Sequence, residues 1–168
     1  REALGGVCLN WGCIPTKLLL KDSEALHLVK KADKHGIKID GYSVDFGATV
    51  KRSRGVAKRM SKGIEFLLKK NKIDHIAGTA SLKSSDEVEV LDSDGKKVVI
   101  QSDHIIIATG ARNREIPGLE TDGKQVISSK EAMVLKKVPK SLAIIGGGAI
   151  GIEFASFYHE YGTEVHIV

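Results

Sequence analysis

Residues 142–155 read Leu142-Ala143-Ile144-Ile145-Gly146-Gly147-Gly148-Ala149-Ile150-Gly151-Ile152-Glu153-Phe154-Ala155. An apolar run enters a glycine loop, and apolar residues at helical spacing follow. Strand, tight turn and helix N-terminus in that order form the opening of a nucleotide-binding βαβ unit. Gly146 permits the turn, Gly148 lets the backbone approach a pyrophosphate, and Gly151, with Ala155 a turn later, lets helix pack on strand. The helix N-terminus supplies free N–H donors and the positive end of the dipole. Gly146, Gly148, Ala149, Ile150 and Gly151 are therefore candidate dinucleotide-binding residues. The helix is predicted over Ala149–Tyr161, and a second strand over Glu164–Val168. An acidic residue to hold the ribose hydroxyls is expected after that strand, past Val168.

The surrounding chain sets bounds on what such a unit belongs to. It has 168 residues, 42% hydrophobic and 28% charged, with a formal charge of +5. That composition is globular rather than disordered. No apolar run approaches the ~20 residues that span a bilayer, and the first residues have no signal-peptide core. Because the chain starts at Arg1, it reads as an internal segment of a longer, cytoplasmic protein.

Upstream of the glycine loop, Gly118 to Pro139 reads as a connection with a short helix near Ser129–Leu135. Before it, Ile105-Ile106-Ile107-Ala108, within Asp103–Thr109, has the pattern of a strand buried on both faces. It ends in Thr109-Gly110-Ala111, at the carboxyl end where α/β sheets bind nucleotides. Short strands are predicted at His75–Thr79, Glu87–Leu91 and Val98–Gln101, with Asp94-Gly95 as a hairpin turn. A helix from Phe46 to about Asn71 should bury Val56, Met60, Ile64, Leu67 and Leu68. Its segment Lys51–Lys72 holds nine Lys or Arg and one acid. Those charges lie between the stripe positions without interleaved aromatics, so they read as a solvated face and not as a nucleic-acid surface. A helix from Pro15 to about Lys34, opened by a proline and closed at His35-Gly36, precedes it. Leu18, Leu19, Ala25, Leu26 and Val29 form its apolar side.

The N-terminal loop, Gly5 to Ile14, carries both cysteines, Cys8 and Cys13. A secreted disulfide scaffold would use more cysteines, more widely spread. A structural zinc site would need ligands that no Cys-x-x-Cys or close histidine pair supplies, so no metal is expected. Cys13 stands next to a helix start, where the dipole favours a thiolate. Cys8, in a glycine-flanked loop, is freer to attack a disulfide. Two buried fillers remain the plainer alternative. None of the six histidines belongs to a catalytic or ligand pattern.

The full string Gly5-Gly6-Val7-Cys8-Leu9-Asn10-Trp11-Gly12-Cys13-Ile14-Pro15-Thr16-Lys17 resembles the active-site motif of the flavin-dependent pyridine-nucleotide disulfide oxidoreductases. Leu9 makes it most similar to the branch that oxidises dihydrolipoamide. Glutathione, mercuric and thioredoxin reductases usually carry Val there. Val7 stands where the family commonly has Thr, and Trp11 where it has a smaller apolar residue. The resemblance covers essentially the whole chain. It implies an α/β architecture of three-layer nucleotide-binding folds. Residues 1–118 would be part of an FAD-binding domain, 119–141 a linker, and 142–168 the start of a Rossmann-like NAD-binding domain.

The same resemblance implies roles residue by residue. Cys8 would be the interchange thiol and Cys13 the thiol facing the flavin. Gly5, Gly6, Cys8, Cys13, Lys17, Gly78, Thr109, Gly110 and Ala111 would line FAD. A β-bulge is the plainer reading of Gly78. Glu153, after the glycine loop, would lie near the nicotinamide of NAD and pair with Lys17; a glutamate favoured by a helix start is its plainer reading. The intact protein would be a homodimer serving lipoyl groups of 2-oxoacid dehydrogenase complexes, with no nucleic-acid or membrane partner. The segment alone is expected to be catalytically silent. The upstream flavin-binding unit and the family's C-terminal histidine would both lie outside it. A sister disulfide reductase and a non-enzymatic binding module are the competing readings.

Overall fold

A computed structural model describes residues 3–168 of the chain. Two compact units emerge, one of residues up to Gly63 together with Arg112–Val168, the other Ile64–Ala111.

In the first unit the chain turns through Gly5 and Gly6, at φ 104° and 69°, into a short helix, α1 (Gly6–Trp11). Gly12 separates it from α2 (Cys13–Lys30), and a 3₁₀ turn, Ala32–His35, ends at Gly36 in the left-handed region. The cysteine segment is thus a helix–turn–helix rather than the expected loop. The glycines that suggested a loop instead serve as its entry and its corner. Asn10 adds the stabilising contacts: buried, it donates through Nδ2 to the carbonyls of Leu4 and Gly6, both at 3.0 Å. Pro15 falls on the third residue of α2, still within the turn whose N–H groups have no helical acceptor.

The long helix α3 runs Phe46–Lys70, close to expectation. Its buried face is not the large-residue stripe, since Met60 is 41% and Leu67 48% exposed. Phe46, Ser53, Ala57 and Ser61 are buried instead. Ser53 Oγ donates to the Pro15 carbonyl at 3.1 Å, which ties α3 to α2. A hydropathy pattern does not register such a contact. On α2, Leu19 is buried as expected while Ala25 is exposed.

The C-terminal part of this unit is the βαβ opening read from the sequence. Strands β4 (Ser141–Ile144) and β5 (Glu164–Ile167) pair in parallel, joined through α5 (Ala149–Glu160). Before them, α4 (Ser129–Ala132) is shorter than expected. A capping box holds it, with Ser128 Oγ accepting from the backbone and Glu131 reaching back to the Ser128 N–H. The core is aromatic: Phe154, Phe157 and Tyr158 of α5 meet Phe46, Leu19 and Met133. Phe46 and Tyr161 sit edge to face at 5.3 Å.

The second unit holds an antiparallel meander, β1 (Thr79–Leu82), β2 (Glu87–Leu91) and β3 (Lys97–Gln101). The first strand lies later than predicted, starting where His75–Thr79 was to end. Gly95, at φ 80°, turns β2 into β3. The apolar stretch Asp103–Thr109 corrects the expectation of a buried strand. It pairs with neither described sheet, and Ile106 and Ile107 are 90% and 71% exposed. An all-apolar strand needs partners on both edges and cover on both faces. Its sequence records that need without supplying the neighbours. Among the described residues no helix is long and apolar enough to cross a membrane.

Candidate functional site

Cys13 is the first residue of α2, and Cys8 lies in the middle of α1. Both are free, exposed thiols. The corner between the helices brings them close enough for the Cys8 thiol to act on the titration of Cys13. Gly12 makes the corner possible. A Cβ there would lie 3.1 Å from Cys8 Cα and 3.2 Å from the Val7 carbonyl oxygen. Sequence reading passed over Gly12, although a glycine lying between the two cysteines was the available signal.

The expected thiolate character of Cys13 needs correction. Interaction with the Cys8 thiol, then partial desolvation, hold the thiol above its ordinary pKa, and Lys17 with the local backbone N–H offsets only part of this. In the dithiol state the neighbouring sulfur outweighs the helix start.

Lys17 lies one turn beyond Cys13 and forms an ion pair with Glu153 of α5. The pair joins the cysteine helix to the helix behind the glycine loop, residues distant in sequence. At 65% side-chain exposure Lys17 stays open to a further ligand, while Glu153 is 27% exposed. The structure thus brings Cys8, Cys13, Lys17 and Glu153 into one unit.

The glycine loop lines a cleft of about 650 Å³, together with Arg114, Ser128, Ser129 and Phe154. Gly146, at φ 104°, takes a conformation that favours glycine. Its N–H donates to the Val168 carbonyl at 2.8 Å, which ties the loop to the end of β5. A Cβ on Gly146, Gly147 or Gly148 would meet nothing within 4 Å, so the loop faces open space. Gly148 caps α5, and Ala149 and Ile150 stand in its first turn. Side-chain-free backbone at a helix start, beside a cleft of this size, fits the pyrophosphate of a dinucleotide.

In the second unit Gly78 packs so tightly on β2 that a Cβ would fall 2.5 Å from Val90 Cγ1 and 2.6 Å from the Leu91 carbonyl oxygen. That packing demand holds whether or not a ligand binds. Thr109, Gly110 and Ala111 are exposed in irregular backbone, with Gly110 at φ 78°.

Sequence reading also missed Arg54. From α3 it donates to the Asn10 carbonyl, lies 3.8 Å over the Trp11 ring, and reaches Met133 Sδ at 3.5 Å. Lys130 Nζ sits 4.8 Å from the same ring. Burial pulls the Arg54 pKa down from its ordinary value. Nothing in the hydropathy pattern marks this one cation out from its basic neighbours.

A family model described as pyridine nucleotide-disulphide oxidoreductase matches residues 2–168. The chain is 49% identical over 168 residues to a dihydrolipoyl dehydrogenase of Chlorobaculum parvum, covering all of this chain and 36% of that protein. It is 44% identical to a dihydrolipoyl dehydrogenase of Zymomonas mobilis, with the same coverage. A mitochondrial dihydrolipoyl dehydrogenase of Arabidopsis thaliana is 41% identical, with 33% of its length covered. The chain thus spans about a third of the length of the curated relatives it matches. Among solved structures, LpdA from Mycobacterium tuberculosis superposes with a TM-score of 0.89 at 23% identity, covering 99% of this chain and 37% of that one. The HOCl-induced flavoprotein disulfide reductase RclA from Escherichia coli gives 0.80 at 30% identity, covering 99% and 34%.

Proposed function

The chain belongs to the pyridine nucleotide-disulphide oxidoreductase family, and from that premise we propose that its full-length protein oxidises dihydrolipoamide to lipoamide through Cys8 and Cys13. The observation that carries the reading is the meeting of two exposed thiols across the Gly12 corner, beside Lys17. Identities of 41–49% with dihydrolipoyl dehydrogenases support the choice of substrate.

The chemistry is two thiol–disulfide exchanges. With Cys8 and Cys13 joined as a disulfide, one substrate thiolate attacks Sγ of Cys8 and the Cys13 thiolate leaves. The second substrate thiolate attacks its own sulfur in the mixed disulfide and releases Cys8. Lipoamide departs with its ring S–S bond, and the protein keeps two electrons as a dithiol. Exposure of both sulfurs leaves room for this approach. The donor set of the first unit fits FAD beside Cys13 and Lys17, with Gly5 and Gly6 at the helix entry. It fits NAD over Gly146, Gly148, Ala149, Ile150 and Gly151, close to Glu153. Bound, the flavin and nicotinamide would carry the electron pair away from the dithiol. Lys17 contributes a fixed positive charge beside that transfer, and Glu153 orients it.

The reading extends to the whole protein as a cytoplasmic homodimer serving lipoyl groups of 2-oxoacid dehydrogenase complexes. Residues 1–118 then belong to the FAD-binding domain and 142–168 to the NAD-binding domain, with 119–141 between them. The test is dihydrolipoamide-dependent NAD+ reduction by the full-length protein and its Cys8→Ala and Cys13→Ala variants. Either variant should lose at least about a thousandfold in kcat, the scale of removing a covalent nucleophile. Undiminished turnover in either variant refutes the assignment. A second reading, reduction of a different disulfide, draws on the likeness to RclA at 30% identity. Comparing kcat/KM across disulfide substrates separates the two.

A further inference from the structure

Trp11 occupies the corner between the cysteines, as the last residue of α1. Arg54 reaches it from α3 with two kinds of contact at once. One NH1 hydrogen bond goes to the Asn10 carbonyl, which α1 leaves free at its C-terminal end, and the guanidinium plane covers the Trp11 ring at 3.8 Å. The carbonyls at a helix end have no helical donor, so the first contact fills a vacancy that water would otherwise take. Asn10 is itself buried and secures the start of α1 through Leu4 and Gly6. Behind the guanidinium, Met133 is fully buried and closes the pocket. The corner is therefore clamped from outside, by a helix that carries neither cysteine.

The geometry points to Arg54 and Trp11 as positioning residues, a latch that fixes the end of α1 against the start of α2 so that Cys8 and Cys13 remain within disulfide-forming reach. Disulfide geometry is narrow, with Cα atoms about 4.4–6.8 Å apart. The stability of an intrachain disulfide follows the effective concentration of its two thiols. A corner released to move lowers that concentration, so the dithiol is favoured. Arg suits the role better than Lys because it stacks flat on an indole while donating in the same plane.

This inference rests on the redox reading of the two cysteines, and the test separates the two. Full-length protein, wild type and variants, is equilibrated with mixtures of oxidised and reduced dithiothreitol, quenched in acid and alkylated, and the Cys8–Cys13 disulfide is counted by mass. In each oxidation two protein S–H bonds break and one S–S forms. The two electrons and two protons pass to oxidised dithiothreitol, whose own S–S bond opens. Arg54→Met, which keeps the aliphatic stem, should need about a tenfold more oxidising mixture for half conversion, equivalent to ~30 mV for a two-electron couple. Arg54→Lys should recover part of that shift. Trp11→Leu leaves the Arg54 donor in place and removes the ring, so it gives a second measure if Arg54→Met fails to fold. Combined with Arg54→Met it should add less than its single effect, as partners in one contact do. Half conversion of Arg54→Met or Trp11→Leu at the wild-type ratio overturns the latch. A wild-type protein that forms no reversible Cys8–Cys13 disulfide overturns the redox reading, and the latch with it.

Discussion

Substitution of Gly151 by alanine tests the βαβ geometry directly. The new Cβ would stand 2.4 Å from the Gly146 carbonyl oxygen and 3.1 Å from Ile144 Cγ2. A carbon–oxygen contact relaxes at about 3.3 Å, so roughly 1 Å must open between α5 and the loop. Gly146 has little freedom to yield, because its N–H is bound to Val168 at 2.8 Å and its φ is 104°. Overpacking against backbone of this kind costs about 1–3 kcal/mol. The assay is the denaturant midpoint of the full-length protein, read beside NAD+ affinity by calorimetry. The Gly151→Ala midpoint should fall by an amount in that range, and NAD+ should bind about tenfold more weakly, since 1.4 kcal/mol is a decade in affinity. Gly147→Ala is the control, because a Cβ there meets nothing within 4 Å. It should stay within about 0.5 kcal/mol of wild-type stability. Equal midpoints for the two variants would refute the argument that close packing requires Gly151.

Three further outcomes follow from the site and its supports. In Cys8→Ala the chief cause of the raised Cys13 pKa is gone, so that pKa should fall and alkylation by iodoacetamide near neutral pH should speed up severalfold; an unchanged pH midpoint contradicts the sulfur–sulfur contact. Glu153→Gln breaks the pair with Lys17, whose 65% exposure limits the stability loss to under about 1 kcal/mol, whereas steady-state turnover should drop far more. Burial pushes Glu160 up, yet His27 at 2.9 Å and Lys30 at 3.1 Å bring it below its ordinary value. Its contribution is therefore present above the unfolded pKa of ~4.3 and lost as pH falls through the depressed folded value. Glu160→Gln should flatten the acid limb of the stability curve by about 0.5–1 kcal/mol, and an acid limb identical to wild type would contradict this.

Local signals carried the parts of this fold that depend on near neighbours. The run from Leu142 to Ala155 encodes strand, turn and helix within a few residues, and β4 and α5 follow it closely. Phe46–Lys70 is helical for the same reason. The sequence pattern failed where the deciding contact lies far along the chain. Asp103–Thr109 has strand composition, but pairing belongs to other segments. Ser53 looks like a surface residue until its hydroxyl meets the Pro15 carbonyl of α2. The cysteine motif marked the two thiols at the helix corner, but the helical form of Gly6–Trp11 comes with contacts from Asn10, a residue read as loop, to Leu4 and Gly6. The capping box at Ser128 and Glu131 was legible in Ser-x-x-Glu spacing and would have fixed the start of α4. Arg54 had no comparable mark, since stacking on Trp11 is a matter of tertiary direction alone.

The aromatic cluster joining Phe46 to Phe157, Tyr158 and Tyr161 has a consequence for synthesis on the ribosome. The cysteine helices emerge first, yet the rings that cover Phe46 and Leu19 arrive roughly a hundred residues later, about 5–20 s at ~5–20 residues per second. Through that interval the nascent chain carries an uncovered greasy surface. Folding of this half awaits the emergence of α5, so a translational pause that holds Phe154, Phe157 and Tyr158 inside the ribosomal exit tunnel would prolong the chain's vulnerability to aggregation.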